Sequence, residues 1–162
     1  MSRATDWMDA NLATQGYCLT ASQNRELWLG LRFSTGVCLA LTTGALIVGA
    51  PALFVALALV GAIAGFGPRH PFDYLWNGGV RHLLGAPPVP PSPERRRHAF
   101  KVATVWMLVL AGLFAIGADT AAVVAGVLLL GACTAVTVAQ LCIPSLIIAW
   151  FDRRREAVPA AR

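Results

Sequence analysis

The sequence is short of charge. Only 13% of its 162 residues are Asp, Glu, Lys or Arg, while 57% are hydrophobic. A soluble domain usually carries about 25% charged residues. No charged residue stands between Phe33 and Phe66, and between Val102 and Phe151 there is one, Asp119. A helix needs about 20 apolar residues to cross roughly 30 Å of hydrocarbon, so the chain reads as an integral membrane protein. Ionisable side chains deep in the crossings, the usual mark of ion paths and proton relays, are missing, which argues against a pump or proton-coupled transporter. The three histidines, His70, His82 and His98, all fall in the central loop. The crossings therefore offer no imidazole to haem iron or chlorophyll magnesium, and no cofactor is expected.

Other absences narrow the field. The four cysteines, Cys18, Cys38, Cys133 and Cys142, match neither the spacing of a zinc site nor a disulfide framework. There is no Gly-x-Ser-x-Gly, no nucleotide-binding glycine loop and no second carboxylate beside His70 and Asp73, so catalysis is not expected. No basic and aromatic platform for nucleic acid is visible. The first apolar run starts near residue 27, after a partly acidic segment without a credible cleavage site, so no signal peptide is expected.

What is present gives an all-α architecture of four transmembrane helices in two hairpins. The first apolar block breaks at "VGAPA", where Gly49 can end a helix and Pro51 can start one. The second breaks at "IGADT", around Gly117 and Asp119. The expected crossings are 29–49, 51–67, 98–117 and 121–151. The second is short and the fourth is too long to lie wholly in hydrocarbon. The segments are a polar arm (1–28), a first hairpin (29–67), a central loop (68–97), a second hairpin (98–151) and a basic tail (152–162). All 13 Lys and Arg residues lie outside the two hairpin turns, so the positive-inside rule puts both termini and the central loop in the cytoplasm. Basic flanks of this kind suit anionic lipid better than nucleic acid.

Small residues recur at four-residue spacing, which lets helices approach closely in lipid. Gly36, Ala40 and Gly44 form one row, Gly61 and Gly65 a second, Ala111 and Ala115 a third, Gly131 and Ala135 a fourth. These rows are expected to hold the bundle together, with one of them as a possible dock for a partner's helix. Trp28, Trp106 and Trp150, with Phe33 and Phe151, are candidate interfacial anchors.

Two places invite a chemical reading. In "GFGPRHPFDYLWNGG", Arg69, His70 and Asp73 precede an amphipathic segment that would lie in the headgroup plane. Phe72, Leu75, Trp76, Val80 and Leu83 fall on its apolar face, and Asp73, Asn77 and Arg81 on its polar face. Gly78 and Gly79 weaken it as a continuous helix. His70 and Asp73 are expected to fix the loop rather than act as an acid–base pair. A proline-rich strut, "GAPPVPPSP", follows, and Ser92 is the expected cap of the next helix. In "AQLCIPSLI", Pro144 denies Gln140 a helical hydrogen bond, so Gln140, Cys142 and Ser145 are expected to gather at a kink. In the arm, Thr5 or Asp6 would cap a short surface helix, and Asn24 the first crossing.

"GYCLTASQNREL", "GFGPRHPFDYLW" and "AQLCIPSL" together resemble an uncharacterised bacterial domain-of-unknown-function family of four-helix membrane proteins. The likeness covers most of the chain. That family carries C-x-G-C in its last helix. Here Cys142 matches the first cysteine, while Pro144 and Ser145 stand where glycine and the second cysteine would be. A dithiol or metal role of the family therefore does not carry over. The resemblance implies the fold and a bacterial inner membrane, and supplies no activity.

The expected function is a non-catalytic accessory or stabilising subunit of a larger inner-membrane complex, with an energy-converting (respiratory or photosynthetic) complex as one candidate host, and with bound lipid and other membrane subunits as partners. A thiol-dependent redox protein centred on Cys142 and a small-solute transporter gated at Gln140–Pro144 are the alternatives.

Overall fold

A computed structural model describes residues 3–157, and every regular element among them is helical. The elements are α1 (Arg3–Thr14), α2 (Ala21–Glu26), α3 (Trp28–Val48), α4 (Pro51–Phe66), α5 (Pro71–Leu75), a π turn (Trp76–Val80), α6 (Arg81–Leu84), α7 (Glu94–Ala115), α8 (Asp119–Ala139) and α9 (Ile143–Ala157). Three of them, α3, α7 and α8, are long and apolar enough to cross a membrane. A fourth crossing, through α4, is counted only together with the segment Pro71–Leu84, which bends away from it by 78°.

Both hairpin turns use glycine where the backbone turns left-handed. Gly49 has φ 66° and its N–H bonds the Ala45 carbonyl at 2.9 Å, and Pro51 then opens α4, its fixed φ suited to a first helical turn. Gly117 has φ 74° between α7 and α8. Hairpin partners are not the closest neighbours. α4 packs chiefly on α7, and α3 on α8. Ala45, Phe54, Leu57, Ala58, Met107, Leu110, Ala111 and Leu129 form the core between them, with Phe54 and Phe114 stacked at 5.4 Å.

The glycine rows contribute unequally. A Cβ on Gly61 would lie 2.7 Å from Thr104 Oγ1, and one on Gly65 2.8 Å from Lys101 Cγ. This row is the seam between α4 and α7. Gly36 meets only the Thr137 methyl, at 3.8 Å, while Gly44 and Gly131 face open space. Ala40 is exposed and Ala135 half-buried. The tightest α3–α8 approach is instead at Gly126, where a Cβ would lie 2.4 Å from Leu46 Cδ1.

Four expectations need correction. The fourth crossing is not one helix over 121–151. α8 stops at Ala139 and α9 starts at Ile143, because Gln140 takes a left-handed conformation, φ 53°, two residues before Cys142 and four before Pro144. The segment after His70 is helical through Gly78 and Gly79, accommodated as a π turn, and its two expected faces are mixed. Asp73 of the polar face and Trp76 of the apolar face are both buried, while Leu75 and Leu83 of the apolar face are exposed with Tyr74 and Leu84. The inward side is set by Trp76, which lies against the backbone of Gly30, where a Cβ would come within 2.9 Å of the indole nitrogen. Ser92 does not cap α7; Pro93 stands at the N-cap position, and no side chain caps the helix. Asn24 lies inside α2, whose cap is Thr20. Thr20 Oγ1 accepts from the Gln23 N–H at 3.3 Å and Gln23 Oε1 accepts from the Thr20 N–H at 2.9 Å, a reciprocal capping box.

The expected surface helix in the arm starts at Arg3, ahead of Thr5 and Asp6. The arm itself is part of the fold. Leu12, Tyr17, Leu27, Leu31, Trp76 and Val89 form a second core where the arm, the start of α3 and the central loop meet. The basic tail is helical to Ala157, and its last residues, Arg162 among them, lie outside the described residues.

Candidate functional site

The candidate chemical residues gather at one end of the bundle, beside this second core. His70 sits at the foot of α5 and caps it. The Phe72 N–H donates to His70 Nδ1 at 3.2 Å, and the His70 N–H donates to Asp73 Oδ2 at 3.2 Å. Asp73 also accepts from the Ser34 hydroxyl of α3. A histidine whose Nδ1 accepts a hydrogen bond carries its proton on Nε2 when neutral. Nε2 faces Cys38 Sγ of α3 at 3.5 Å. In this tautomer His70 cannot take a proton from Cys38; it can only donate toward the sulfur. Burial holds the imidazole below the usual histidine range, partly opposed by the Asp73 carboxylate. Phe72 and Phe100 flank the ring at 5.2 and 5.1 Å.

Arg96, in the first turns of α7, is the second buried charge. It donates to Tyr17 Oη at 2.7 Å and to the Leu31 carbonyl at 3.3 Å, and its guanidinium lies over the Tyr17 ring. Burial raises the Tyr17 phenol above its ordinary value, and Arg96 opposes this. Arg96 and Asp73 make no direct ion pair, but each acts electrostatically on both His70 and Tyr17. Buried charges persist when hydrogen bonds replace their lost hydration, and here α3 supplies a partner to both, Leu31 to Arg96 and Ser34 to Asp73. Sequence reasoning missed Arg96 because it stands within a run of three arginines that reads as a solvated membrane flank.

The loop that delivers His70 and Asp73 is pinned. Asn77 makes two bonds to Val89, donating to its carbonyl at 3.1 Å and accepting from its N–H at 2.8 Å. Trp76 Nε1 donates to the Pro87 carbonyl at 3.3 Å, and Arg69 donates to the Val89 carbonyl. Proline removes backbone donors, so the strut is held largely by side chains of the preceding helix. Arg81 stays on its own helix, donating to the Asn77 carbonyl at 2.8 Å.

The break between α8 and α9 is the third part. The arm closes it. Asn11 Nδ2 donates to the Ala139 carbonyl at 3.0 Å, and Gln15 Nε2 to the Gln140 carbonyl at 2.6 Å. These are carbonyls that a helix end leaves without partners. The Gln140 side chain is fully buried, and neither of its amide atoms has a partner among the described residues. Cys142 and Ser145 are buried together, with Ser145 Oγ 3.1 Å from Cys142 Sγ and 3.5 Å from the Arg95 carbonyl. Pro144, at the start of α9, is half-buried.

The sequence-predicted residues thus fall into groups. Arg69, His70, Asp73 and Trp76 meet in the pinned loop, and Gln140, Cys142 and Ser145 at the break, while Gly44 and Gly131 lie apart on the outer faces. Among the described residues no cluster of His, Cys, Asp or Glu is arranged to hold a metal ion. No curated protein and no solved structure matches the chain. One family does, over residues 29–153, from the first spanning helix to beyond the cysteine of the break. The chain belongs to the family described as Domain of unknown function (DUF4395).

Proposed function

We propose that this chain is a four-crossing protein of a bacterial inner membrane, with its termini and central loop cytoplasmic, and that it serves as a non-catalytic accessory or stabilising subunit of a larger membrane complex. One observation carries the reading. The groups with chemical potential are turned inward and spent on one another, as His70 is on the α5 cap and Asp73 on Ser34 and the His70 N–H. The outer faces of α3 and α8, in contrast, offer apolar side chains with open glycines, Gly44 and Gly131, between them. A polar end that is rigid and closed, joined to an apolar flank with small residues, suits a part that is docked against rather than one that turns over substrate. An energy-converting complex is the host class we favour. Mild-detergent purification followed by mass spectrometry tests the proposal, with co-migrating integral membrane subunits as the expected result. Migration as a lone monomer at all detergent concentrations overturns it.

A second reading has its own observations, the contact of Cys38 Sγ with His70 Nε2 at 3.5 Å and the buried Cys142–Ser145 pair at 3.1 Å. They support a thiol-dependent protein. Alkylation of Cys142 in native membranes, together with a phenotype for Cys142→Ala, favours that reading; an inert sulfur and a silent substitution remove it.

A further inference from the structure

A groove runs along the outer face of α7 and α8. It is lined by Lys101, Val102, Val105, Trp106, Val109 and Ala125. Beyond Lys101 its surface is apolar. The one polar atom among these side chains, Trp106 Nε1, is spent on the Ala125 carbonyl at 3.2 Å. Lys101, Val105 and Val109 follow one another at helical spacing, and Arg97 continues the stripe one turn earlier. Neither Arg97 nor Lys101 has a carboxylate partner among the described residues, and Arg97 Nε is buried without a hydrogen-bond acceptor. The Lys101 stem crosses Gly65 and its ammonium lies 4.8 Å from the Phe66 ring.

The level of this mouth can be read from two further pairs. Arg32 lies 4.6 Å over Trp28, and Arg154 3.8 Å over Trp150. Trp28, Phe66 and Trp150 are 51%, 76% and 44% exposed. The three pairs share one end of the bundle. Gly65 abuts Lys101, Arg32 donates to the Val138 carbonyl at 3.1 Å, and Arg95 pairs with Asp152 at 3.0 Å. Exposed aromatics with a cation beside them belong at the headgroup level of a bilayer. Lys101 and Arg97 then stand at the phosphates, and the valine-lined groove runs about 12 Å deeper, eight residues at 1.5 Å each.

We infer that this groove is a binding site for an anionic phospholipid of the cytoplasmic leaflet, with the phosphate on Lys101 and Arg97 and one acyl chain along Val102, Val105, Trp106 and Val109. A lysine without a carboxylate partner at the end of an apolar groove, with Arg97 one turn before it on the same stripe, calls for a ligand that is anionic at one end and hydrocarbon below it. The inference rests on the bilayer crossing proposed above, but not on membership of a complex, so a monomeric protein leaves it standing.

The test uses the full chain in nanodiscs of phosphatidylcholine and phosphatidylglycerol in a 3:1 ratio. After mild extraction, retained lipid is counted by native mass spectrometry. Phosphatidylglycerol is expected to be retained above its share of the mixture. Lys101→Met, which keeps the stem on Gly65, should lower its retention about fivefold, the worth of one cation at an anionic surface. Lys101→Arg should restore it. Val105→Trp, which fills the groove and leaves the charge, should release the lipid with Lys101 intact. Equal retention of the two lipids by the unaltered protein, or no response to Lys101→Met and Val105→Trp, overturns the inference. So does photo-crosslinking from position 109 to another protein instead of lipid.

Discussion

The two ends of the bundle are held by different physics. At the end that carries Gly49 and Gly117, helices meet through Phe54, Leu57, Leu110 and Phe114, with the Leu46 side chain seated against Gly126. At the other end Asn11, Gln15, Ser34, His70, Asp73, Arg96, Gln140 and Ser145 are all buried. In lipid there is little hydrophobic drive between helices, and shape complementarity does most of the holding. The apolar end should therefore tolerate erosion by degrees. Apart from the unpartnered Gln140 amide and Gln15 Oε1, the polar end is held by hydrogen bonds between buried groups, so losing Arg96 or Asp73 strands its partners.

The largest expected effect lies in the network. Arg96→Met removes the donor to Tyr17 and Leu31 and leaves Asp73 without its nearby positive charge; it should cost about 3 kcal/mol of stability. Thermal unfolding in detergent measures this, and hydrogen exchange should place the loss in α1, α2 and the central loop. Phe54→Ala at the opposite end is the matched control. Lipid chains are as apolar as the lost ring, so the transfer contribution largely drops out and the cavity remains, for about 1.5 kcal/mol. Equal costs at the two ends would break the comparison.

A smaller effect depends on pH. The folded state depresses the His70 pKa below its ordinary 6.5, so the unfolded chain binds the proton more readily. The stabilisation is complete above about pH 6.5 and is lost as pH falls below it toward the folded value. His70→Asn, which keeps a helix-capping side chain, should flatten the pH dependence of the melting temperature between pH 7 and 5. An unchanged slope would show that another group controls it. The smallest effect is expected at Gln140. Gln140→Gly relieves a left-handed conformation and removes an unpartnered amide, and should raise stability by about 0.5–1 kcal/mol. Destabilisation instead would mean that the Gln140 side chain has a partner in the membrane.

Much of this contrast follows from what periodicity and punctuation can report. Gly49, Pro51 and Gly117 are local signals, and the turns fall where they stand. The seam at Gly61 and Gly65 is equally local, because spacing alone puts both on one face. The inward turn of Asp73 is not local. It depends on Trp76 finding Gly30 and on Ser34 receiving the carboxylate, contacts across 46 and 39 residues that no window of sequence contains. The break at Gln140 was legible only in part, for the same reason. Pro144 advertises an interruption of the helix, but its position is fixed by Asn11 and Gln15, which take the carbonyls of Ala139 and Gln140 from the far end of the chain. Arg96 was hidden by its neighbours, since composition does not reveal which of three consecutive arginines points inward.

The docking of the arm has a consequence for biogenesis. Asn11 and Gln15 bond to groups 128 and 125 residues downstream. At about 5–20 residues per second, the first helix made must wait roughly 6–25 seconds for its seat to be synthesised. During that interval Leu12 and Tyr17 can already pack on Leu27, Leu31, Trp76 and Val89, but the Asn11 and Gln15 amides have no carbonyls to receive them. Arm docking at the break therefore comes late in assembly. A chain arrested before α8 would hold its arm by the second core alone, without the two amide bonds to the break, a difference by which a quality-control protease could tell an unfinished molecule from a finished one.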